Sequence, residues 1–308
     1  ATLLCLDRVS GEILWQRSNT YLDLLDEEER AKAEADLAAG DKLLAKLKPI
    51  ERELRKGRNQ LKKSPDDEEL KKKLQDLGKQ AAELHKELKP LQTHRPKGTH
   101  SVNGYSSPTP VSNGHVVAVL FGQGVAAVYD LEGELVWRRL IEKAGGGWGH
   151  SASPTLAGDR LIIQIRRVMR ALDLKTGEEL WKAPTNTRWG SPITATLAGR
   201  EVVVTPNGEI ADVETGELLA RNLAGLQYNA PIVDGEVVYF IQHDSKAYRI
   251  TADDQGGLQT EKLWETKIKK DRYYASPVLH EGLIYAITQR SVLSVLDAKT
   301  GELVYEQN

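Results

Sequence analysis

The sequence is poor in the residues that build disulfides, thiolate metal sites and phenylalanine-rich cores. Its 308 residues include one cysteine, one methionine and two phenylalanines. A single cysteine excludes an intrachain disulfide, a paired-cysteine redox centre and a zinc site made of several thiolates of this chain. We expect Cys5 to be a small apolar residue on a strand.

Long apolar runs and a strong charge imbalance are also lacking. The longest apolar runs, such as VVAVLF at 116–121, are much too short to cross a bilayer. The formal net charge is −2, so charge alone indicates no class of partner. The chain opens on ATLLCLD, which has the pattern of a strand and not of a signal peptide. We therefore expect the natural N-terminus, with any export signal, to lie upstream.

Two short phrases alternate along the chain. The first appears as LDRVSGEILW (6–15), YDLEGELVW (129–137), LDLKTGEELW (172–181), ADVETGELLA (211–220) and LDAKTGELVY (296–305). The second is a strand start, a Gly turn and an apolar run, as in ASPTLAGDRLIIQI (152–165). Four short strands in a period of roughly 40 residues are typical of a β-propeller blade. A β-sandwich is the alternative, but it does not predict the same turn in every period.

We therefore predict an all-β fold, a β-propeller of four-stranded antiparallel blades. Six repeats are recognisable, and the first of them is partial. A total of seven or eight blades in the full-length protein stays open. An α-helical hairpin interrupts the repeats.

The first phrase supplies a hairpin and a docking residue. Its aspartate can accept hydrogen bonds from amides of the following turn, and its glycine can adopt a positive φ, so together they close the outer hairpin of a blade. The tryptophan that follows is expected to wedge between neighbouring blades. We assign these structural roles, and no catalytic role, to Asp7, Trp15, Asp130, Trp137, Asp173, Gly177, Trp181, Asp212, Gly216, Trp264, Asp297 and Gly301.

The segment 20–97 carries neither phrase and is rich in Glu, Lys, Ala and Leu. Leucines between 70 and 91 follow each other at steps of four and three, which predicts a heptad seam on a helix. The letters SPDD at 64–67 predict that one helix ends and another begins, with Ser64 as the N-cap. Pro49 is expected to kink the first helix because it lacks a backbone donor.

These patterns predict two domains. Residues 1–19 and 98–308 form the propeller, and residues 20–97 form an antiparallel helical hairpin of the coiled-coil type, inserted between the first and second blades. The stretch RELRKGRNQLKK (52–63) is basic, but acidic residues follow it and no aromatics interleave with it. We therefore expect no nucleic-acid partner.

The two alternating phrases resemble the PQQ-like β-propeller repeats of the quinoprotein-like superfamily. That family contains quinoprotein alcohol dehydrogenases and noncatalytic, BamB-like scaffolds of outer-membrane assembly. The resemblance implies an extracytoplasmic location, in the periplasm or cell envelope. In the enzymes it implies pyrroloquinoline quinone (PQQ) in the central funnel, beneath a disulfide of adjacent cysteines, and calcium bound by Glu, Asn and Asp. This sequence has no adjacent cysteines and no assignable metal cluster, so we expect no catalytic residue, no metal site, no PQQ and no calcium.

Three functions remain open, because a fold does not by itself determine a function. We favour a noncatalytic scaffold that binds a protein partner, with the helical hairpin as its docking element. The alternative is a small-ligand or glycan binder at the mouth of the central channel. A PQQ-dependent alcohol dehydrogenase is the third.

Aromatic residues recur before the innermost strand of several repeats. Alignment of the strand starts places Tyr105, His150 and Ser191 at one position. Since the segment that enters an innermost strand borders the channel, we predict an aromatic and polar ring at its mouth. The competing interpretation is that these aromatics cap the channel and pack between blades. The candidate ligand-binding residues are Tyr105, Trp148, His150, Arg188, Trp189, Gln227, Tyr228, Asn229, Tyr273 and Tyr274.

Overall fold

A computed structural model describes residues 1–100, 102–186 and 189–308. The chain divides into two compact units, one of Ala1–Asn19 with Lys97–Asn308 and the other of Thr20–Pro96. The second boundary lies one residue before the predicted one.

The first unit is built of antiparallel sheets that follow one another along the chain. Within the described residues, five sheets have four strands and one has two, and we number them as blades 1 to 6. Blade 1 has β1 (Thr2–Leu6) and β2 (Ile13–Ser18). Blade 2 has β3 (Val111–Ser112), β4 (Val116–Leu120), β5 (Val125–Asp130) and β6 (Leu135–Leu140). Blade 3 has β7 (Thr155–Ala157), β8 (Arg160–Ile165), β9 (Val168–Asp173) and β10 (Glu179–Pro184).

The other three blades keep the same strand order. Blade 4 has β11 (Ile193–Leu197), β12 (Arg200–Val204), β13 (Ile210–Asp212) and β14 (Leu218–Ala220). Blade 5 has β15 (Ile232–Asp234), β16 (Val237–Phe240), β17 (Asp244–Ala252) and β18 (Leu258–Lys267). Blade 6 has β19 (Val278–His280), β20 (Leu283–Ile287), β21 (Leu293–Asp297) and β22 (Leu303–Gln307). The predicted all-β propeller of four-stranded blades, with a partial first blade, is confirmed.

The two middle strands of the blades carry the core. In blade 3, Leu161, Ile162 and Ile163 on β8 have no exposed surface, so both faces of this strand are buried. Continuous runs of β-branched and aliphatic residues are typical of strands covered on both faces. The outer pair of each blade contains a β-bulge, for example between Glu179 and Trp181 in blade 3. Such a bulge adds local twist to the outer hairpin.

The aspartate of the repeated phrase organises the outer turn. Asp173 Oδ1 accepts hydrogen bonds from the amides of Lys175 and Thr176 at 2.9 and 2.7 Å. The Thr176 amide is the main cause that holds the pKa of Asp173 below its usual value. Gly177 then takes a φ of +72°, a left-handed conformation that most residues resist. The turn is therefore closed by a charge-assisted contact and one glycine.

The tryptophan of each phrase docks on the turn of the next blade. Trp137 donates its Nε1 hydrogen to the Leu174 carbonyl oxygen at 2.9 Å. A Cβ on Gly177 would lie 2.6 Å from Trp137 Cδ2, so the indole ring fills the space that this glycine leaves free. The same arrangement joins Trp15 to Leu131 and Gly133, Trp181 to Val213 and Gly216, and Trp264 to Ala298 and Gly301. Burial of each such ring stabilises the blade stack by about 2–3 kcal/mol.

Blades 4 and 5 are joined differently, because Ala220 occupies the tryptophan position. Arg200 reaches the outer turn of blade 5 and donates to the Gly256 carbonyl oxygen at 2.7 Å. Leu223 and Leu226, which follow β14, pack in one buried cluster with Phe240 of blade 5. An arginine and two leucines therefore take the place of one indole.

The second unit is a pair of helices, α1 (Glu27–Leu61) and α2 (Glu68–Leu88). Ala33, Gly40, Leu47 and Leu54 of α1 are buried and lie seven residues apart. Gly57, near the end of α1, faces Leu74 near the start of α2, and Gly40 faces Leu88 at the end of α2. The two helices therefore run antiparallel. The helix α1 continues through Pro49. No helix among the described residues combines the length and the apolar character needed to cross a bilayer.

The predicted N-cap of the second helix is wrong. Asp67, and not Ser64, caps α2, and its Oδ1 accepts from the Leu70 amide at 2.9 Å. The Asp67 amide bonds back to the Ser64 carbonyl, so these residues form a turn before the helix begins. Asp67 lies three residues before Leu70, whose amide has no carbonyl partner within the helix, and a capping side chain spans this separation.

Candidate functional site

The segments that enter the first strands of blades 2 to 6 converge on one concave site. They enclose a cavity of about 650 Å³, which we call the mouth cavity. Each of the five blades contributes residues just before its first strand, as expected where the inner strands of a propeller border its axis. The lining residues are Val102, Asn103, Ser107, Trp148, Ser151, Ser153, Trp189, Ser191, Gln227, Tyr228, Arg272, Tyr274 and Ser276.

Serines that precede a proline form a belt around this cavity. Ser153 Oγ accepts from the Thr109 amide of blade 2 at 3.0 Å, and Ser191 Oγ accepts from the Ser153 amide at 2.9 Å. Ser276 Oγ likewise accepts from the Ala230 amide at 3.2 Å. Each hydroxyl satisfies a backbone donor of the preceding blade, so the belt links neighbouring blades at their inner ends.

Aromatic side chains stand on two sides of the cavity. Trp148 and Trp189 meet edge to face, with ring centroids 6.5 Å apart, and Tyr228 and Tyr274 do so at 4.7 Å. Arg272 Nη1 donates to the Tyr274 hydroxyl at 3.1 Å. Trp148 is 47% exposed and Tyr274 is 51% exposed. Large aromatics left open to water in a concave site are typical of recognition surfaces.

The structure brings five of the predicted residues together at the mouth cavity, namely Trp148, Trp189, Gln227, Tyr228 and Tyr274. Arg188 lies outside the described residues.

Three other predicted residues lie elsewhere, which corrects the prediction for them. Asn229 is buried and its Nδ2 donates to the Ile241 carbonyl oxygen at 2.7 Å. Tyr273 is buried and donates to the Lys269 carbonyl oxygen at 2.7 Å, and burial raises its pKa to about 12. Tyr105 donates to the Lys97 carbonyl oxygen, and its ring lies against the backbone near Gly122. In each case a backbone acceptor or a packing space holds the side chain away from the channel.

The predicted alignment of His150 with Ser191 is also wrong. The serine belt shows that Ser153 is the equivalent of Ser191, since both accept an amide of the preceding blade. His150 lies three residues before Ser153, and it lines a second cavity and not the mouth cavity.

The second cavity adjoins the mouth cavity and has a volume of about 640 Å³. His150 lines it and its Nε2 lies 2.9 Å from the Glu142 carbonyl oxygen, which can only accept, so Nε2 carries the proton. Burial lowers the pKa of His150 below its ordinary value. The ring is therefore neutral near pH 7, and its Nδ1 is an acceptor.

Sequence reasoning missed several residues of the two cavities. The serines were visible as a repeated Ser-Pro pair, at Ser107, Ser153, Ser191 and Ser276. Arg272 had no comparable signal, because it belongs to no repeated phrase.

Cys5 is the only cysteine of the sequence, so no pair of adjacent cysteines can cover a quinone. The part of the chain that the structure describes contains no group of three or more His, Cys, Asp or Glu side chains placed to hold a metal ion.

Residues 165–308 match the family model PQQ_2, described as outer membrane protein assembly factor BamB. The match covers just under half of the chain and indicates PQQ-like repeats there. It begins at the end of β8 and includes all of blades 4 to 6, so the PQQ-like assignment made from the repeated phrases is confirmed. No curated protein matches the sequence.

Solved structures with a similar chain path are distant in sequence. BamB from Moraxella catarrhalis is 15% identical, with a TM-score of 0.49 over 64% of this chain and 62% of that chain. The computationally designed Ika8 protein is 14% identical, with a TM-score of 0.45 over 65% and 61% of the two chains. A quinohemoprotein alcohol dehydrogenase from Pseudomonas putida is 13% identical, with a TM-score of 0.44 over 68% of this chain and 43% of that chain. The chain thus covers less than two thirds of the length of each.

Proposed function

We propose that this PQQ-like propeller is a noncatalytic, extracytoplasmic scaffold that binds a segment of a partner protein at its mouth cavity. The observation that carries the proposal is the exposed aromatic cluster where five blades converge. Tryptophan, tyrosine and arginine are the residues most enriched at the energetic centres of protein interfaces. The description of the matching family model, an outer membrane assembly factor, supports the proposed location.

The chemistry of the mouth cavity suits an extended polypeptide. Tyr228 and Tyr274 offer apolar faces to a partner side chain, and Arg272 lies beside them. The cavity of about 650 Å³ has room for a few side chains and no more. The partner segment is therefore short and carries at least one aromatic or aliphatic anchor.

The helical hairpin supports the docking role less well. Among the exposed large apolar side chains of the described residues, none lies between 20 and 97. Part of its charged surface is already paired, as in the contact of Lys73 Nζ with Glu53 Oε2 at 3.5 Å. Exposed ion pairs and solvated charges contribute little to binding. We therefore place the main recognition surface on the propeller.

Selection of peptides from a random display library on the purified protein tests the proposal. Peptides enriched on the wild-type chain should bind the Y228A/Y274A double variant about tenfold more weakly or worse. The control is Y305A, since Tyr305 is 45% exposed on β22, away from the mouth cavity. Peptides that bind the double variant as well as the wild type would refute the proposed site.

The noncatalytic part of the proposal has its own test. The purified chain, supplied with PQQ, calcium, an alcohol and a dye acceptor, should not reduce the dye. Steady dye reduction that depends on PQQ would overturn it.

A further inference from the structure

The outer face of α1 changes its charge near the middle of the helix. Leu47 and Leu54 are buried against α2 and occupy position a of the heptad, so positions b, c and f lie on the side that points away from α2. From residue 27 to 45 these outer positions contain four acids and one lysine, namely Glu27, Glu28, Glu34, Asp41 and Lys42. From residue 48 to 62 they contain five cations and no acid. These cations, which we call the basic face, are Lys48, Arg52, Arg55, Lys56 and Lys62.

The acids in this part of α1 are turned towards α2 and are paired there. Glu51 Oε1 lies 3.1 Å from His85 Nε2, and Glu53 Oε2 lies 3.5 Å from Lys73 Nζ. The residues of the basic face are all exposed, and none of them forms an ion pair with a carboxylate of the described residues. The five positive charges are therefore not compensated within this part of the chain.

The outer face of α2 has a different pattern. Leu74, Ala81 and Leu88 form its seam, and its outer positions mix both signs. Those positions contain the acids Glu68, Glu69, Asp76 and Glu83 and the cations Lys72, Lys79 and Lys86. Mixed signs are typical of a helix face that is only solvated, whereas a block of like charges is typical of an interaction surface. The net charge of the whole chain is −2, so the basic face does not follow from an excess of cations.

The stability of the helix does not explain the basic face. Lys48 and Arg52 are four residues apart, as are Arg52 and Lys56, and like charges at this separation destabilise a helix. Cations stabilise a helix only in its last turn, and Arg55 already lies six residues before the last helical residue, Leu61. Exposed side chains also make no packing contribution. A partner that supplies negative charge is therefore the physical reason that remains.

The shape of the basic face limits the kind of partner. Lys48 and Lys62 are about 21 Å apart along the helix axis, and the cations between them share one side of the helix. No aromatic residue interleaves with them, which disfavours single-stranded nucleic acid. None of the exposed large apolar side chains of the described residues lies between 20 and 97, so the hairpin has nothing to insert into hydrocarbon. The basic face thus fits a flat surface of dense negative charge.

We propose that the basic face binds the surface of an anionic phospholipid bilayer. The helix α1 lies along the bilayer plane, and its guanidinium and ammonium groups contact lipid phosphates. Each exposed charge contributes little by itself, but five on one side of a helix act together on a charged membrane. The choice of phospholipid over nucleic acid rests on the extracytoplasmic location in the proposed function. The contact is separate from peptide binding at the mouth cavity.

Co-sedimentation of the intact chain with vesicles tests the proposal. One set of vesicles is phosphatidylcholine alone, and the other contains about one third phosphatidylglycerol, an anionic lipid. In about 0.1 M salt the chain should bind the anionic vesicles at least about tenfold more tightly. In about 1 M salt, where the Debye length is about 3 Å, the preference should disappear.

Two triple variants separate the basic face from net charge. R52Q/R55Q/K56Q removes three cations of the basic face and should weaken binding to the anionic vesicles about tenfold or more. K72Q/K79Q/K86Q removes three cations from the outer face of α2 and should change this binding by less than about twofold. All six residues are exposed, and glutamine keeps a similar helix propensity, so both variants should retain the helical circular dichroism of the wild type.

Three results would overturn the proposal. They are equal binding to the two kinds of vesicle, a preference that persists in about 1 M salt, and equal weakening by the two triple variants. Tighter binding of a short DNA duplex than of anionic vesicles, at the same phosphate concentration, would assign the basic face to nucleic acid and also overturn it. The Y228A/Y274A variant should bind vesicles normally, and R52Q/R55Q/K56Q should bind the selected peptides normally. Failure of the basic face and failure of the mouth cavity are thus told apart.

Discussion

Substitution of Gly216 by alanine tests how tryptophan docking stabilises the propeller. Gly216 has a φ of +73°, and a Cβ there would lie 2.6 Å from Cδ2 and Cε3 of Trp181. Gly199 in the same blade has a φ of +75°, but a Cβ there would meet nothing within 4 Å. The two positions therefore share the backbone strain of an alanine and differ in the contact with the indole ring.

The expected magnitudes follow from these two effects. A left-handed alanine costs roughly 1–2 kcal/mol, and this applies to both G199A and G216A. Crowding of a packed ring adds about 1–3 kcal/mol in G216A alone. We expect G216A to lower the free energy of unfolding by about 2–5 kcal/mol and G199A by about 1–2 kcal/mol.

Urea unfolding followed by tryptophan fluorescence measures this difference in the propeller, because all six tryptophans lie outside the helical hairpin. In a W181A background the ring is gone, so G216A should cost no more than G199A does. Equal destabilisation by G216A and G199A in the wild-type chain would refute the docking argument. So would an undiminished effect of G216A beside W181A.

Three further outcomes are expected. The folded-state pKa of His150 is below its unfolded value, so the contribution of the neutral ring to the free energy of unfolding is complete above about pH 6.5 and is lost as pH falls through the folded pKa. The melting temperature of H150Q should therefore fall less steeply than that of the wild type between neutral and acidic pH. Parallel curves of melting temperature against pH would contradict this. G78A should stabilise α2 by about 1 kcal/mol and so slow its hydrogen exchange. G57A should stabilise α1 by less, because its Cβ would lie 2.5 Å from Leu74 Cδ2. N229A should lower the free energy of unfolding, measured in urea, by about 1–3 kcal/mol, because the Asn229 amide satisfies the buried Ile241 carbonyl. An unchanged urea midpoint would show that water replaces the amide.

The repeated phrases were sufficient to predict the blades and their outer turns. Asp173 and Gly177 act within a few residues of each other, so local sequence contains all that the turn requires. The heptad leucines likewise determine a helical pair, although the capping residue had to be seen in three dimensions. Ser64 and Asp67 are both good caps by type, and only the path of the preceding turn decides between them.

The candidate site was predictable in position and not in detail. The channel mouth followed from the propeller symmetry, and Trp148, Trp189 and Tyr228 lie there. Asn229 follows Tyr228 in the chain and yet is buried, because backbone acceptors of its own blade compete for its side chain. Neighbouring residues on an irregular segment point in directions that periodicity does not describe.

The sequence by itself determined the repeat, the hairpin turns and the helical insertion, because these depend on interactions over short separations in the chain. Only the tertiary structure decided which blade supplies the partner of each residue. The space above Gly177 belongs to Trp137 of the preceding blade, and Arg200 replaces a missing indole. Such contacts join residues tens of positions apart, and their geometry depends on how the blades pack against one another.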